Sequence, residues 1–268
     1  MAQSIKEIKT LLASNPAEEA LAQWRQDPRK GVQQALAAYA KHLEARAREQ
    51  ERLENLMAPE RRYWQQGLEF VAGCDEAGRG PLAGPLVTAA VILPHRIDLP
   101  GLNDSKQVTA KRREELYDEI LQQAVAVTVS ILGPGEIDEW NIYQAAKTVM
   151  TLCLTHLTTK PQAALTDAMP LAISQFPVES LIHGDAKSAA IAAASIMAKV
   201  TRDRIMVQLD QEYPEYGFAG HKGYGVSSHM DAIAQYGPTP WHRRSYEPLK
   251  SMHITTEAVR ENKLLQLK

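Results

Sequence analysis

The sequence predicts an α/β fold, a mixed β-sheet flanked by helices, preceded by a small all-helical segment. Short β-rich runs fall at residues 68–74, 86–93, 125–132, 163–166 and 180–183, and helical stretches at 111–123, 137–158 and 188–212 separate them. Residues 1–67 contain no strand-like run. Those two patterns, period two and period 3.6, change over at Leu68.

Taken in order, Ser4 with Glu7 makes a capping box, Asn15-Pro16 starts a second helix, and Gly31 separates a third. Val32, Leu36, Tyr39 and Leu43 recur at helical spacing and give the segment one packed face. Its basic residues, among them Arg25, Arg29, Lys41, Arg48, Arg52, Arg61 and Arg62, alternate with glutamates, which fits a charge-laced exposed helix as well as a nucleic-acid grip. The first β-rich runs are joined by short turns and are expected to pair antiparallel, whereas the later ones alternate with helices and are expected to pair parallel. The alanine-dense segment Ala189 to Ala198 favours a helix able to lie close against the sheet. The expected division is a helical extension at 1–67, an α/β domain at 68–246 and a helical tail at 247–268.

With 268 residues, 44% hydrophobic, the chain is long enough for one substantial core plus an appendage. A net charge of −2 argues against wholesale electrostatic capture of nucleic acid, so any such binding must come from local basic clusters. The two cysteines, Cys74 and Cys153, lie in apolar runs and read as small core residues, which fits a reducing, cytoplasmic setting. No apolar signal core and no run of membrane-spanning length is present.

The chemistry concentrates where Phe70-Val71-Ala72-Gly73-Cys74 runs into Asp75-Glu76-Ala77-Gly78-Arg79-Gly80. Two adjacent carboxylates meet a glycine-rich turn at the expected end of a buried strand, and glycines on both sides of Arg79 let bare backbone approach a ligand. Asp167 ends the run Ala163-Ala164-Leu165-Thr166, and Asp185 follows Ile182-His183-Gly184 ahead of the alanine-rich helix. Strand ends of one sheet lie side by side, so Asp75, Glu76, Asp167 and Asp185 could converge; read singly, each aspartate serves equally well as a cap. Four converging carboxylates repel one another without cations, and Mg²⁺ or Mn²⁺ are the natural neutralisers, two such ions roughly 3.5–4 Å apart clamping both ends of a phosphoryl displacement. Ser105-Lys106 and Lys187-Ser188 each pair a hydroxyl with an ammonium beside a turn or helix start, a combination suited to phosphate oxygens. Lys222 and Arg243-Arg244 either extend that track or are ordinary surface charges. His221, His229 and His242 lack zinc spacing and are read as structural or substrate-proximal.

Several blocks, in order across residues 70–246, carry a resemblance. They are Gly73-Cys74-Asp75-Glu76-Ala77-Gly78-Arg79-Gly80-Pro81 with Gly84-Pro85-Leu86-Val87, then Leu102-Asn103-Asp104-Ser105-Lys106, then Gly184-Asp185-Ala186-Lys187-Ser188 leading into Ala192 to Asp203. His221-Lys222-Gly223-Tyr224-Gly225 and Gly237-Pro238-Thr239-Pro240-Trp241-His242-Arg243 complete the series. Together they resemble bacterial ribonuclease HII, a member of the ribonuclease H superfamily, and residues 1–67 resemble an extension found in some of its members. The chain departs from the family pattern in having Ala168 after Asp167, and Gly133-Pro134-Gly135 where a serine-led turn is commoner.

The resemblance implies a ribonuclease H-like sheet and two metal ions held by Asp75, Glu76, Asp167 and Asp185, one activating water and the other stabilising the departing 3′ oxygen. It implies hydrolysis on the 5′ side of a ribonucleotide in RNA/DNA hybrids and in duplex DNA containing single ribonucleotides. It also implies that backbone groups of Gly78, Arg79 and Gly80, with the Tyr224 hydroxyl, recognise the 2′-OH. Tyr224, between two glycines, is also placed to stack on a sugar, although a turn tyrosine packed on the surface has the same sequence signature. A monomer serving ribonucleotide removal is expected. The sister enzyme ribonuclease HIII is the nearest alternative, disfavoured by Arg79 where it usually carries lysine, by Tyr224 and by the all-helical N-terminus. A non-catalytic nucleic-acid-binding module gains nothing from clustered carboxylates, and a small-molecule phosphatase lacks its compact ligand motif.

Overall fold

The computed structural model describes residues 3–252, so from residue 253 onward the tail expected to be helical lies outside the described residues. These residues form two compact units that divide between Glu54 and Asn55.

The first unit is built from α1 (Ile5–Ala13), α2 (Glu18–Arg25) and most of α3 (Lys30–Leu56). The Ser4–Glu7 capping box forms in both directions, Glu7 N–H to Ser4 Oγ at 3.2 Å and Ser4 N–H to Glu7 Oε2 at 2.7 Å. Ile8, Leu12, Leu21, Trp24, Val32 and Ala35 make its core, with Leu36 and Tyr39 packed beside them and Leu43 exposed. Two boundaries differ from the sequence reading. Asn15 holds a positive φ of 56° and α2 starts only at Glu18. Gly31 is not a separator; it sits in the first turn of α3, where a Cβ would come within 2.7 Å of Ile5 Cδ1, so it lets α1 close onto α3.

The second unit contains α4 (Ala58–Trp64), β1 (Val71–Ala77), β2 (Leu86–Ile92), α5 (Ala110–Gln123), β3 (Ala126–Leu132), α6 (Pro134–Trp140), α7 (Ile142–Thr155), β4 (Ala163–Asp167), β5 (Val178–Leu181), α8 (Ala189–Glu212), α9 (Phe218–His221) and α10 (Ser227–Tyr236). The expected mixed sheet is present, in the order β3-β2-β1-β4-β5. As the connections require, β1–β2 and β2–β3 pair antiparallel, and β1–β4 and β4–β5 pair parallel. The unit starts thirteen residues before Leu68 because α4 belongs with it, Tyr63 and Trp64 packing against Val71, Ala163, Leu165 and Ile191. The stretch read as one helix over 137–158 is two: Asn141, at φ 61°, ends α6, and its Oδ1 accepts from the N–H groups of Tyr143 and Gln144, both at 3.1 Å, to cap α7. Helices α9 and α10 were not expected.

The sheet lies between two helical layers. Ala72 and Cys74 of β1 point toward α7, where Cys153 and Met150 join the same core; both cysteines are buried and free. The opposite pleat of β1 meets α8, which is buried on nearly every face of its first three turns and therefore shows no polar stripe. At Gly73 the approach is so close that a Cβ would stand 2.1 Å from Ala190 C and 2.2 Å from Ile191 N. Among the described residues no helix is long and apolar enough to cross a membrane.

Because those neighbours are backbone atoms that no rotamer change can move, Gly73→Ala is expected to destabilise the second unit by about 3 kcal/mol or more. Denaturant unfolding of the variant reads the loss directly, and an unchanged midpoint would show that α8 is free to shift away from the sheet.

Candidate active site

Strand β1 runs through the acidic pair and ends only at Ala77, later than its composition indicates, so Asp75 and Glu76 sit on a paired strand opposite Ala89 and Thr88. The pleat sends alternate side chains to opposite faces. Val71, Gly73 and Asp75 therefore share the α8 side, and Glu76 takes the other. The parallel partner runs in register, with Val71 beside Ala163 and Cys74 beside Thr166, which sets Asp167 next to Asp75 on that same face. Asp185 arrives on a 3₁₀ turn, Gly184–Ala186, at the entrance to α8. The turn is tied to β4 because Gly184 N–H donates to Asp167 Oδ1 at 2.7 Å.

The result is a trio: one carboxylate oxygen from each of Asp75, Asp167 and Asp185, all within 4.8 Å of one another, with Asp75 and Asp185 buried. Burial, then the charges of Glu76 and Asp167, push the Asp75 carboxyl well above its usual range. Burial and the neighbouring Asp104 and Asp167 charges raise Asp185 as well. Glu76 stands outside the trio. Its Oε1 pairs with Arg79 at 3.4 Å, while its Oε2 is buried without a hydrogen-bond partner, and burial raises this carboxyl too. Lys106 reaches the trio from outside, Nζ 3.9 Å from Asp185. Burial lowers the affinity of Lys106 for its proton, but Asp104, Asp185, Asp75 and Asp167 together outweigh it, and the ammonium is held above its ordinary value.

An oxygen-only donor set, in which burial and neighbouring charge raise the Asp75 and Asp185 carboxyls and one buried Glu76 oxygen is unpartnered among the described residues, fits hard divalent cations better than any internal hydrogen-bond scheme. Asp75, Asp167 and Asp185 would hold such ions, with Glu76 turning its free oxygen toward them from the strand end.

The glycine turn after β1 is fixed from beneath. Arg243, fully buried and not the surface charge its position in the sequence allowed, donates to Gly78 O at 2.5 Å, Arg79 O at 3.0 Å and Gly84 O at 2.9 Å, and Tyr246 Oη donates to Arg79 O at 2.6 Å. In a trans peptide the carbonyl and the following N–H point oppositely. With the Gly78 and Arg79 carbonyls turned inward, the N–H groups of Arg79 and Gly80 face away from Arg243. Gly78 has φ 101°, and a Cβ there would meet Arg202 Nε at 2.2 Å. Buried Arg202 braces the next segment through Pro85 O at 3.0 Å and Ala83 O at 3.1 Å, burial pushing its guanidinium down to about 10. Tyr224 is half-exposed above the turn, its Cε1 3.7 Å from where a Gly80 Cβ would be.

Two of the hydroxyls expected to meet phosphate face inward instead. Ser105 is buried and accepts from Ser195 Oγ at 2.8 Å. Ser188 is also buried: it caps α8 through Ile191 N–H at 3.1 Å and donates to Glu60 Oε1 at 2.5 Å. Their neighbours Lys106 and Lys187 remain exposed, Lys187 with its ammonium on Ile182 O at 2.8 Å. Arg244 is exposed, its backbone N–H held by Asp138 at 2.9 Å, and the Lys222 ammonium turns back onto Ala219 O. The sequence reading missed Asp104, Ser195, Arg202 and the buried Glu60. Asp104, Ser195 and Arg202 sit within blocks singled out for other residues, Glu60 lies in the helical extension, and none has a distinguishing local pattern.

A five-stranded sheet of this order, with an aspartate trio at β1, β4 and the head of α8, has ribonuclease H-like relatives among solved structures. Ribonuclease H2 from Pyrococcus horikoshii OT3 superposes with a TM-score of 0.57 at 30% identity, over 74% of this chain and 99% of that one. Ribonuclease HII in its PCNA complex from Archaeoglobus fulgidus gives 0.58 at 27% identity, over 70% and 98%. The chain belongs to the ribonuclease HII family: the Ribonuclease HII model matches residues 72–248, and the Ribonuclease HII N-terminal domain model matches residues 4–64. It is 50% identical over 252 residues to ribonuclease HII of Geobacillus thermodenitrificans, covering 92% of this chain and 96% of the relative. It is 47% identical over 247 residues to that of Desulfitobacterium hafniense, covering 92% and 95%. It is therefore a nuclease, a hydrolase of the ribonuclease H class.

A carboxyl whose affinity for protons is raised by folding stabilises the protein fully below the unfolded value and loses that contribution as pH rises through the folded one. In chelator, stability of the wild type is expected to fall as pH rises from about 4. Asp75→Asn removes the repulsion and is expected to raise neutral-pH stability by about 1 kcal/mol or more, while cancelling the stabilisation that added Mn²⁺ gives the wild type. Thermal melts with and without metal read both effects; a destabilised Asp75→Asn would mean the trio is not in electrostatic conflict.

Proposed function

We propose that the chain is an endonuclease that hydrolyses the phosphodiester on the 5′ side of ribonucleotides in RNA/DNA hybrids and in duplex DNA carrying single ribonucleotides, leaving 3′-OH and 5′-phosphate ends. The observation that carries this reading is the adjacency of the aspartate trio to the Gly78–Gly80 turn and Tyr224. One feature suits phosphoryl transfer and the other suits recognition of a sugar.

Asp75, Asp167 and Asp185 would hold two Mg²⁺ or Mn²⁺ ions, with Glu76 completing the donor set. When bound, the ions supply an activated water and stabilise charge on the departing 3′ oxygen. The Gly184 N–H on Asp167 and the Glu76 N–H on Asp75 hold those two carboxylates in place. Lys106 sits against Asp185 and is freed to meet a phosphate oxygen once that charge is neutralised. Lys187 lies further along the same edge. The outward N–H groups of Arg79 and Gly80 and the Tyr224 hydroxyl take the 2′-OH, and the Tyr224 ring stacks on the sugar. Arg79 itself pairs with Glu76 and so links the sugar site to the metal site. The enzyme acts as a cytoplasmic monomer in ribonucleotide removal during replication and repair.

Cleavage of an end-labelled DNA duplex with one internal ribonucleotide tests this, with an all-DNA duplex, an RNA/DNA hybrid and a chelator as controls. Metal-dependent incision immediately 5′ of the lone ribonucleotide is expected. Asp75→Asn and Asp185→Asn are expected to reduce it by about three orders of magnitude or more, removal of a metal ligand being comparable to loss of a main electrostatic catalyst. Cutting only within longer RNA tracts would point to a ribonuclease HIII-like specificity, and tight binding without cleavage would leave a binding module.

A further inference from the structure

His229 and His242 are both buried, yet neither belongs to the aspartate trio. Their ring nitrogens lie 3.0 Å apart, Nε2 to Nε2, and burial pushes His229 down to about 4 and His242 to about 3, so both are neutral at working pH. Backbone partners fix which nitrogen carries each proton. His229 Nδ1 lies 2.9 Å from Tyr224 O, a carbonyl that only accepts, so His229 carries its proton on Nδ1. Its Nε2 is then an acceptor, and the proton between the two rings belongs to His242 Nε2. His242 Nδ1 must accept, and it does so from Thr239 N–H at 2.9 Å. The scheme closes with one tautomer for each ring and no alternative: Thr239 N–H to His242, His242 to His229, His229 to the Tyr224 carbonyl.

A third ring completes the support. His221 stacks on His229 with centroids 4.5 Å apart. Its Nε2 donates to Tyr216 O at 2.7 Å, and its Nδ1 accepts from Gly223 N–H at 3.1 Å. Gly223 O in turn accepts from Leu82 N–H at 2.9 Å and Ala83 N–H at 3.2 Å, and Ala83 bridges to His242. The backbone of Gly223 and Tyr224 is thus fastened on one side to the segment that follows the glycine turn and on the other to the histidine chain.

Resting on the reading of Tyr224 as a contact to the ribose, we infer that His229 and His242 are positioning residues for substrate specificity: a directional hydrogen-bond chain that locks the Tyr224 main chain so that its ring stands over the Gly78–Gly80 turn. They touch neither substrate nor metal. An apolar leucine of similar volume would fill the space but would leave the Tyr224 carbonyl without its donor, and the ring free to leave Gly80.

The test compares His229→Leu with His229→Asn, whose amide nitrogen can replace Nδ1 as a donor. Activity is read as kcat/KM on a single-ribonucleotide duplex divided by kcat/KM on an RNA/DNA hybrid. His229→Leu is expected to lower this ratio about tenfold, the equivalent of roughly 1.4 kcal/mol, while His229→Asn recovers most of it. Tyr224→Ala is expected to lower the ratio, and adding His229→Leu to it should lower it no further. If Tyr224→Ala leaves the ratio unchanged, the reading of Tyr224 fails. If Tyr224→Ala lowers it and His229→Leu does not, or the two effects add, the histidine chain is merely core. An imidazole ¹⁵N spectrum of the wild type, independent of how variants fold, should show His229 protonated at Nδ1 and His242 at Nε2; the opposite tautomers would overturn the chain.

Discussion

Where Gly73 would carry a side chain, the backbone of Ala190 and Ile191 already stands, and that contact orders the rest of the second unit. A helix can come this near a strand only if the strand offers glycine and the helix offers small residues, and Ala189, Ala190, Ala192, Ala193 and Ala194 supply them. Once α8 is seated, its first residues cannot drift. The 3₁₀ turn ahead of it then delivers Asp185 beside the strand pair that already holds Asp75 and Asp167. Ser195, two turns along the same helix, donates to Ser105 Oγ at 2.8 Å. Glu60 secures the helix start from the other side by accepting from Ser188 Oγ and, at 2.8 Å, from Ala190 N–H.

Acids held together in this way work against folding and for function. Each raised carboxyl is a place where the chain buries a charge that a neutral residue would avoid, an arrangement expected at functional sites. The sheet tolerates it because the carboxylates sit at its margin, where β1 ends and β4 stops, and because backbone N–H groups meet part of each charge: Glu76 N–H on Asp75 at 2.7 Å and Gly184 N–H on Asp167 at 2.7 Å. A second polar device lies behind the Gly78–Gly80 turn. Among the described residues, Arg243 and Arg202 are buried without an ion-pair partner and are satisfied by backbone carbonyls of residues 78–85, which is how a loop rich in glycine acquires one conformation.

Much of this was legible in the sequence. Alternation and helical spacing located every strand, their pairing sense and the close helix at 189–212, because those signals are local and repeat over many residues. The aspartates Asp75, Asp167 and Asp185 were legible as strand-end carboxylates, and the pleat explains why Glu76, their sequence neighbour, stands apart from them. What escaped was set by tertiary partners. Asn141 breaks a helix through its own backbone geometry, Ser105 and Ser188 turn inward to Ser195 and Glu60, and Arg243 is buried although nothing near it in sequence is apolar enough to announce it. Polar residues whose partners lie 90 to 165 positions away leave no periodic trace.

The central claim is that the trio and Glu76 form a cation site completed by α8. Anomalous scattering from crystals grown with Mn²⁺ tests it most directly. The account predicts a peak roughly 2.1 Å from carboxylate oxygens of at least two of Asp75, Asp167 and Asp185, a coordination distance typical of small hard cations, with Lys106 withdrawn from Asp185. A well-occupied Mn²⁺ elsewhere, with no peak at the three aspartates, would contradict it.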